Sequence, residues 1–147
     1  MLPLLFALSC DGKDNPVDDS GSTDDSEYVD DGVSPVVTDA DAYCYLHDTG
    51  DQFYNWSMSL TYDDPQGLNN VPRSFHMVEI YKNDALVTDA ELLSCNTDSG
   101  DCIGSFNADV LGINCAGAAD EYEFKMIIED YDGNTGSATV TGREGTP

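Results

Sequence analysis

Basic residues are scarce in this sequence. Its 147 residues include only 5 lysines and arginines against 29 aspartates and glutamates, which gives a formal net charge of −24. Such a charge repels the phosphates of nucleic acids and the headgroups of anionic lipids, so we expect no nucleic-acid partner. The same field concentrates cations and keeps a protein soluble at high salt.

The sequence also lacks the motifs of common catalytic and metal centres. No two cysteines have the C-x-x-C spacing typical of zinc sites and thiol oxidoreductases, and G-x-S-x-G, H-E-x-x-H and glycine-rich phosphate loops do not occur. His47 and His76, the only imidazoles, lie within strand-like patterns, where a structural histidine is commoner than a catalytic base. We predict that the protein is not an enzyme and has no cofactor, with calcium as the alternative considered below.

No apolar run is long enough to cross a bilayer, which takes about 20 residues. The opening stretch, MLPLLFALS, gives way abruptly to acidic sequence at Cys10. This junction resembles the end of a bacterial lipoprotein signal peptide, whose cysteine is lipidated and becomes the mature N-terminus. The resemblance implies a lipid on Cys10 and an exported protein anchored in the cell envelope, at the periplasm or the cell surface. The alternative is an ordinary secretory signal that ends near a cysteine.

Residues 11–32 carry nine carboxylates, one lysine and almost no apolar side chains. Such a segment cannot bury enough surface to offset the entropy of ordering, and its like charges repel one another. We therefore predict a disordered, extended acidic linker between the signal region, residues 1–10, and a folded domain at residues 33–147.

After Val33 the sequence alternates apolar and polar residues between turn-forming ones, which predicts an all-β domain. Residues 121–130 show the pattern best, and the Asp132-Gly133 pair after them predicts a hairpin turn. Seven strands are predicted, the number in an immunoglobulin-like sandwich. They cover residues 41–47, 52–62, 74–82, 85–95, 101–107, 121–130 and 137–142.

Residues 120–140 resemble the last two strands of bacterial immunoglobulin-like and polycystic-kidney-disease-type domains. Asp120-x-Tyr122-x-Phe124 also resembles the tyrosine corner of that fold, with Phe124 where antibody domains place a cysteine. The resemblance implies a seven-stranded immunoglobulin-like sandwich. An alternative numbering makes residues 41–47 the second strand and places Trp56 on the third.

Besides Cys10 there are four cysteines, enough for two disulfides, which persist in oxidising compartments outside the cytoplasm. In the topology that the resemblance implies, Cys95 and Cys102 flank one loop. Cys44 and Cys115 belong to the opposite pole. We therefore predict the pairs Cys95–Cys102 and Cys44–Cys115 among three possible pairings.

The same topology brings two acidic loops together at one pole of the domain. Carboxylates and a side-chain amide are ligands that calcium prefers, so these loops are a candidate calcium site. The simpler interpretation is surface charge that keeps the protein soluble. The candidate ligands are Asp63, Asp64, Asp130, Asp132 and Asn134.

Tyr43 and Tyr45 alternate with inward-facing residues and are expected on an outer face, near Phe53 and Tyr54. Exposed rings of this kind hold sugars in many sandwiches, so a glycan platform is one hypothesis; the other is that they are cross-strand pairs that stabilise the sheet. Trp56 is expected in the core. Taken together, the sequence predicts a non-catalytic envelope lipoprotein whose domain is an interaction or spacer module, with calcium or glycan binding as the alternative. The partner protein or glycan is unknown.

Overall fold

The computed structural model describes residues 32–48, 50 and 52–145, apart from the side chains of Ser74 and Phe75. The predicted lipidation of Cys10 and the predicted linker, except Gly32, lie outside the described residues. None of the described residues forms a helix that is both long and apolar enough to cross a membrane.

The described residues form an all-β domain, with eight strands rather than the seven expected. The additional strand is a two-residue segment near the C-terminus, and the first strand begins at Val36 instead of Asp41. The strands are β1 Val36–His47, β2 Phe53–Asp63, β3 Ser74–Lys82, β4 Ala85–Asn96, β5 Asp101–Asn107, β6 Tyr122–Glu129, β7 Thr135–Thr141 and β8 Arg143–Glu144. In the part of the chain that the structure describes, a short α-helix, α1 Ala108–Leu111, and two 3-10 helices, Leu68–Asn70 and Ala119–Glu121, lie in the connections.

The strands form one sheet in the order β7-β6-β3-β4-β5-β2-β1-β8, antiparallel except for the parallel pair β1 and β8. β4 joins its two halves, because it pairs with β3 from Ala85 to Ser94 and with β5 only from Ser94 to Asn96. We call β1, β2, β5 and β8 the first layer, and β3, β4, β6 and β7 the second layer. β1 also contacts β7, so the sheet folds over itself as a sandwich-like structure.

The core lies between the layers because apolar residues recur at every second position. On β2, Trp56, Met58 and Leu60 are buried. On β6, Phe124 and Met126 are buried in the same way, and the rings of Trp56 and Phe124 lie 4.6 Å apart between centroids. This contact joins the first layer to the second.

Both predicted disulfides are present. Cys44–Cys115 ties β1 to the connection between β5 and β6 and spans 71 residues of sequence. Cys95–Cys102 closes the hairpin between β4 and β5 and spans 7 residues. Disulfides of this kind are typical of oxidising compartments and indicate a location outside the cytoplasm.

Trp56 lies on β2, the second of the described strands, between β1 and β5, whereas β3 is the strand beside β6. Among the described strands, residues 41–47 thus belong to the first and Trp56 to the second. The predicted bounds of the strands at residues 74–82 and 85–95 leave two residues between them, and the structure confirms this connection: Asn83 and Asp84 have φ of 51° and 62°, the left-handed pair that a two-residue hairpin requires.

Candidate binding surfaces

The predicted acidic pole exists, because the loop after β2 touches the loop between β6 and β7. The backbone N–H of Tyr131 donates a hydrogen bond to the carbonyl oxygen of Asn70 at 2.9 Å. The structure thus places Asp64 of one loop at the same end of the domain as Asp130 of the other.

Asp130 serves the turn in which it lies. Its side chain is 3% exposed. One carboxylate oxygen accepts hydrogen bonds from the backbone N–H groups of Asp132 and Asn134, both at 2.8 Å, and the other accepts one from the Asn134 side-chain amide at 3.1 Å. Three of the five predicted calcium ligands therefore lie together, arranged around an aspartate that holds the loop.

Asp64 has a similar role in the loop after β2. It is 4% exposed, and it accepts a hydrogen bond from the backbone N–H of Gln66 at 2.8 Å. Burial, reinforced by the charge of Asp64, raises the pKa of the Tyr62 hydroxyl, which donates to the Leu68 carbonyl at 3.0 Å. Asp63, by contrast, ends β2 with an exposed side chain. Within the part of the chain that the structure describes, no three carboxylate, imidazole or thiolate groups are placed to hold a metal ion.

Four rings form a continuous row on the outer face of the first layer, which we call the aromatic row: Tyr43, Tyr45 and His47 of β1 and Phe53 of β2. Successive ring centroids lie 5.9, 6.3 and 4.9 Å apart, and His47 stacks on Phe53 with an interplanar angle of 7°. At one end the Arg143 guanidinium lies 5.0 Å from the centroid of Tyr43 and also donates to the Asp41 carboxylate. β8 thus closes one end of the row.

The positions in register with Tyr43 and Tyr45 on β2 and β5 carry no formal charge. Tyr45 is in register with Asn55 on β2, and Asn55 is in register with Asn107 on β5. Tyr43 is in register with Ser57 on β2, which is in register with Ser105 on β5. Amides and hydroxyls therefore flank the rings, in a chain where 23% of residues are charged. Tyr54, which the sequence analysis grouped with these rings, instead lines a cavity of about 210 Å³ with residues of the β5–β6 connection.

A groove that the sequence analysis missed lies on the outer face of the second layer. Its volume is about 460 Å³, and we call it the β3 groove. Met77 is in register with Glu91 on β4, and the groove extends over Ile127 on β6. Ile127 gave a signal in the sequence, since it interrupts a row of otherwise charged outward positions on β6. The groove is lined by Pro72, His76, Met77, Glu91, Ile127, Glu129 and Asp130.

His76 forms the buried wall of the β3 groove and is 3% exposed. Its Nε2 lies 2.7 Å from the Pro72 carbonyl oxygen, and its Nδ1 accepts from the Glu129 backbone N–H at 3.5 Å. A ring that donates through Nε2 and accepts through Nδ1 is the neutral tautomer assigned from this bonding pattern. Both nitrogens therefore hold the backbone in place.

The rest of this outer face is acidic. Glu79 accepts hydrogen bonds from the Lys125 ammonium at 2.9 Å and from the Tyr81 hydroxyl at 2.8 Å. These bonds, the one from Lys125 first, lower the pKa of Glu79, and the same bonds raise the pKa values of Lys125 and Tyr81. Asp89 lies opposite Glu79 on β4, so two carboxylates face each other across neighbouring strands.

No protein-family model matches this chain, and no curated protein matches it. The proposal for the function of this protein therefore rests on the surfaces of its domain.

Proposed function

We propose that this chain is an exported, lipid-anchored protein of the bacterial cell envelope. In this proposal its domain is an immunoglobulin-like sandwich that serves as a non-catalytic interaction or spacer module. The two disulfides support export, since they require an oxidising compartment. The acidic segment at residues 11–32 would then hold the domain away from the membrane.

The strand neighbours support the immunoglobulin-like assignment. β2 lies between β1 and β5, and β6 lies between β3 and β7, as in sandwiches of that type. The Tyr122 hydroxyl accepts a hydrogen bond at 3.1 Å from the backbone N–H of Asn114, upstream in the chain. A tyrosine at the start of this strand that bonds to the upstream backbone is a hallmark of the tyrosine corner.

One observation supports the proposal that the module is not catalytic. The side chains best suited to acid–base chemistry make hydrogen bonds or ring contacts that stabilise the fold. His76 bonds to backbone groups through both ring nitrogens, and His47 stacks on Phe53. The buried carboxylates of Asp64 and Asp130 accept backbone hydrogen bonds of their own loops. The outer faces of the described domain and the β3 groove are open to a partner.

Mass spectrometry of the full chain expressed in a bacterium tests the anchor. We expect the product in the membrane fraction with a lipid mass on Cys10, and we expect Cys10→Ser to move it to the soluble fraction. An unmodified, soluble wild-type product would contradict the anchor. As a control, Cys44→Ser retains Cys10 and should retain the lipid.

The aromatic row supports a second candidate function, the binding of a neutral glycan. Rings offer apolar faces and edges to sugar C–H groups, while the flanking Asn55 and Asn107 supply donors and acceptors for hydroxyl groups. The uncharged flanks suit a neutral sugar better than an anionic one, which the net charge of −24 repels.

A further inference from the structure

β4 has an open edge over most of its length. On one side it pairs with β3 from Ala85 to Ser94. On the other side β5 pairs with it only from Ser94 to Asn96, and no strand of the described residues pairs with that side between Ala85 and Leu93. We call Ala85–Glu91 the β4 edge.

A close backbone approach marks where the open part ends. A Cβ on Gly104 of β5 would lie 2.2 Å from the Leu92 carbonyl oxygen, so the two backbones come close at this point. The Cys95–Cys102 disulfide fixes the same end of β4 to β5. The β4 edge lies beyond this point, on the side of the turn at Asn83.

The β4 edge is apolar at one end and exposed there. Leu86 is 53% exposed and Val87 is 44% exposed, and they follow the exposed Ala85. Unpaired N–H and C=O groups beside exposed apolar side chains favour the addition of another strand, and natural proteins usually protect such edges.

Acidic residues surround the β4 edge and select its partner. Asp84 precedes it, Asp89 and Glu91 lie within it, and Glu79 faces Asp89 from β3. The nearby cations are already paired, Lys82 with Glu121 and Lys125 with Glu79. A second copy of this chain would set acids against acids across the new ladder, which is destabilising.

The β3 groove adds a place for a long cationic side chain. Glu91 belongs both to the β4 edge and to the wall of the groove, and Met77 and Ile127 give the groove apolar surface. A lysine or arginine can lay its aliphatic stem along such surface while its charged end meets a carboxylate. An extended segment with alternating basic and apolar residues therefore matches both the edge and the groove.

We propose that the β4 edge binds an extended, basic segment of a partner protein by strand addition. The main chain of the segment hydrogen-bonds to Ala85–Glu91. Its basic residues face Asp89 and Glu91 and lay their aliphatic stems along Leu86, which is on the same outer face. The inference rests on the proposed function as an interaction module and names its partner by chemistry.

The test uses the full chain and a peptide of alternating lysine and valine, long enough to span Ala85–Glu91. The matched probe is the same peptide with N-methyl groups at alternate residues, which keeps its charge but removes backbone donors. We expect saturable binding of the first peptide in calorimetry and about tenfold weaker binding of the second, since several backbone hydrogen bonds are lost. Equal affinities would overturn strand addition, and so would the absence of binding by either peptide.

Charge variants test whether the peptide binds at the β4 edge. The double variant Asp89→Asn, Glu91→Gln should weaken binding about fivefold, whereas Asp39→Asn, Asp48→Asn, with the same change in net charge on the first layer, should leave it nearly unchanged. Equal weakening in the two variants would overturn the site, because it would show attraction to the net charge alone. Peptide binding and the lipid on Cys10 are measured in separate experiments. If the peptide does not bind, the lipid can still be detected, so failure of strand addition can be distinguished from failure of the membrane anchor.

Discussion

The two outer faces of the sandwich differ in chemistry although the same alternation builds both. The outer face of the first layer has rings, amides and hydroxyls, with Tyr45, Asn55 and Asn107 in one register. The outer face of the second layer has carboxylates around an apolar groove and an open strand edge. In a protein with a net charge of −24, an uncharged strip is the exception, so the partners proposed for the two faces differ in chemistry.

The two layers are also held differently. Cys44–Cys115 fixes the strand that carries the aromatic row, and it closes a long loop. Cys95–Cys102 joins the layers where β4 passes from β3 to β5, and it closes a short loop. Because the constraint that a disulfide places on the unfolded chain grows with loop length, the two bonds should differ in their effect on stability.

The largest expected effect comes from removing the disulfide of the first layer. From its span of 71 residues, Cys44→Ala with Cys115→Ala should lower the free energy of unfolding by about 4 kcal/mol. Cys95→Ala with Cys102→Ala, whose span is 7 residues, should lower it by about 2 kcal/mol. Chemical denaturation monitored by the fluorescence of buried Trp56 measures both. A larger loss from the short loop would contradict the loop-length argument.

A substitution at Asp130 tests whether the acidic pole stabilises the fold. Asp130→Ala removes the acceptor of three hydrogen bonds in the turn, and we expect a loss of about 2 kcal/mol. Asp63→Ala, at the exposed last residue of β2, is the control and should change stability little. Equal losses would mean that Asp130 acts only through the charge of the pole.

Calcium titration of the wild type tests the same pole. If its carboxylates serve their own loops, millimolar calcium should produce no binding heat and no rise in melting temperature. A rise that Asp63→Asn or Asp132→Asn removes would instead establish a metal site and would make this end of the domain a third binding surface.

Much of the fold was predictable because its main signals are local. The alternation along β2 and β6 specifies which side chains are buried, and it gave these strands directly. The disulfide pairing was predicted from the topology that the family resemblance implies, in which Cys95 and Cys102 flank one loop and Cys44 and Cys115 lie at the opposite pole. β8 was missed because two residues carry no periodicity, and the start of β1 was missed because an irregularity between Val37 and Asp39 breaks the alternation.

The sites were less predictable because they depend on side-chain direction. The sequence indicated that Asp64 and Asp130 share a pole, but both turn inward to accept backbone hydrogen bonds of tight loops, which aspartate often does. The β3 groove needs Met77, Glu91 and Ile127 from three strands, and their proximity depends on register. Only the interruption of the charged positions by Ile127 was visible in the sequence.

The glycan hypothesis sharpens the comparison between the faces. In native gels that contain neutral polysaccharides such as hydroxyethyl cellulose, galactomannan or dextran, we expect at least one to retard the protein. Tyr45→Ala should weaken that interaction about fivefold, because a ring contact is lost. Tyr81→Ala removes a ring from the other outer face and should leave retardation unchanged. Equal loss in both variants, or no retardation of the wild type, would contradict glycan binding at the aromatic row.

The smallest expected effect concerns the charges of the second layer. The folded-state pKa of Glu79 is lowered from the ordinary value of 4.5, chiefly by the hydrogen bond from Lys125. The stabilisation is therefore present above pH 4.5 and is lost as the pH falls through the lowered pKa. The difference in unfolding free energy between wild type and Glu79→Gln should shrink as the medium is acidified. In a Lys125→Met background the difference should be small at every pH, because the main donor is gone; a pH-dependent difference that persists unchanged there would mean that Lys125 is not the cause.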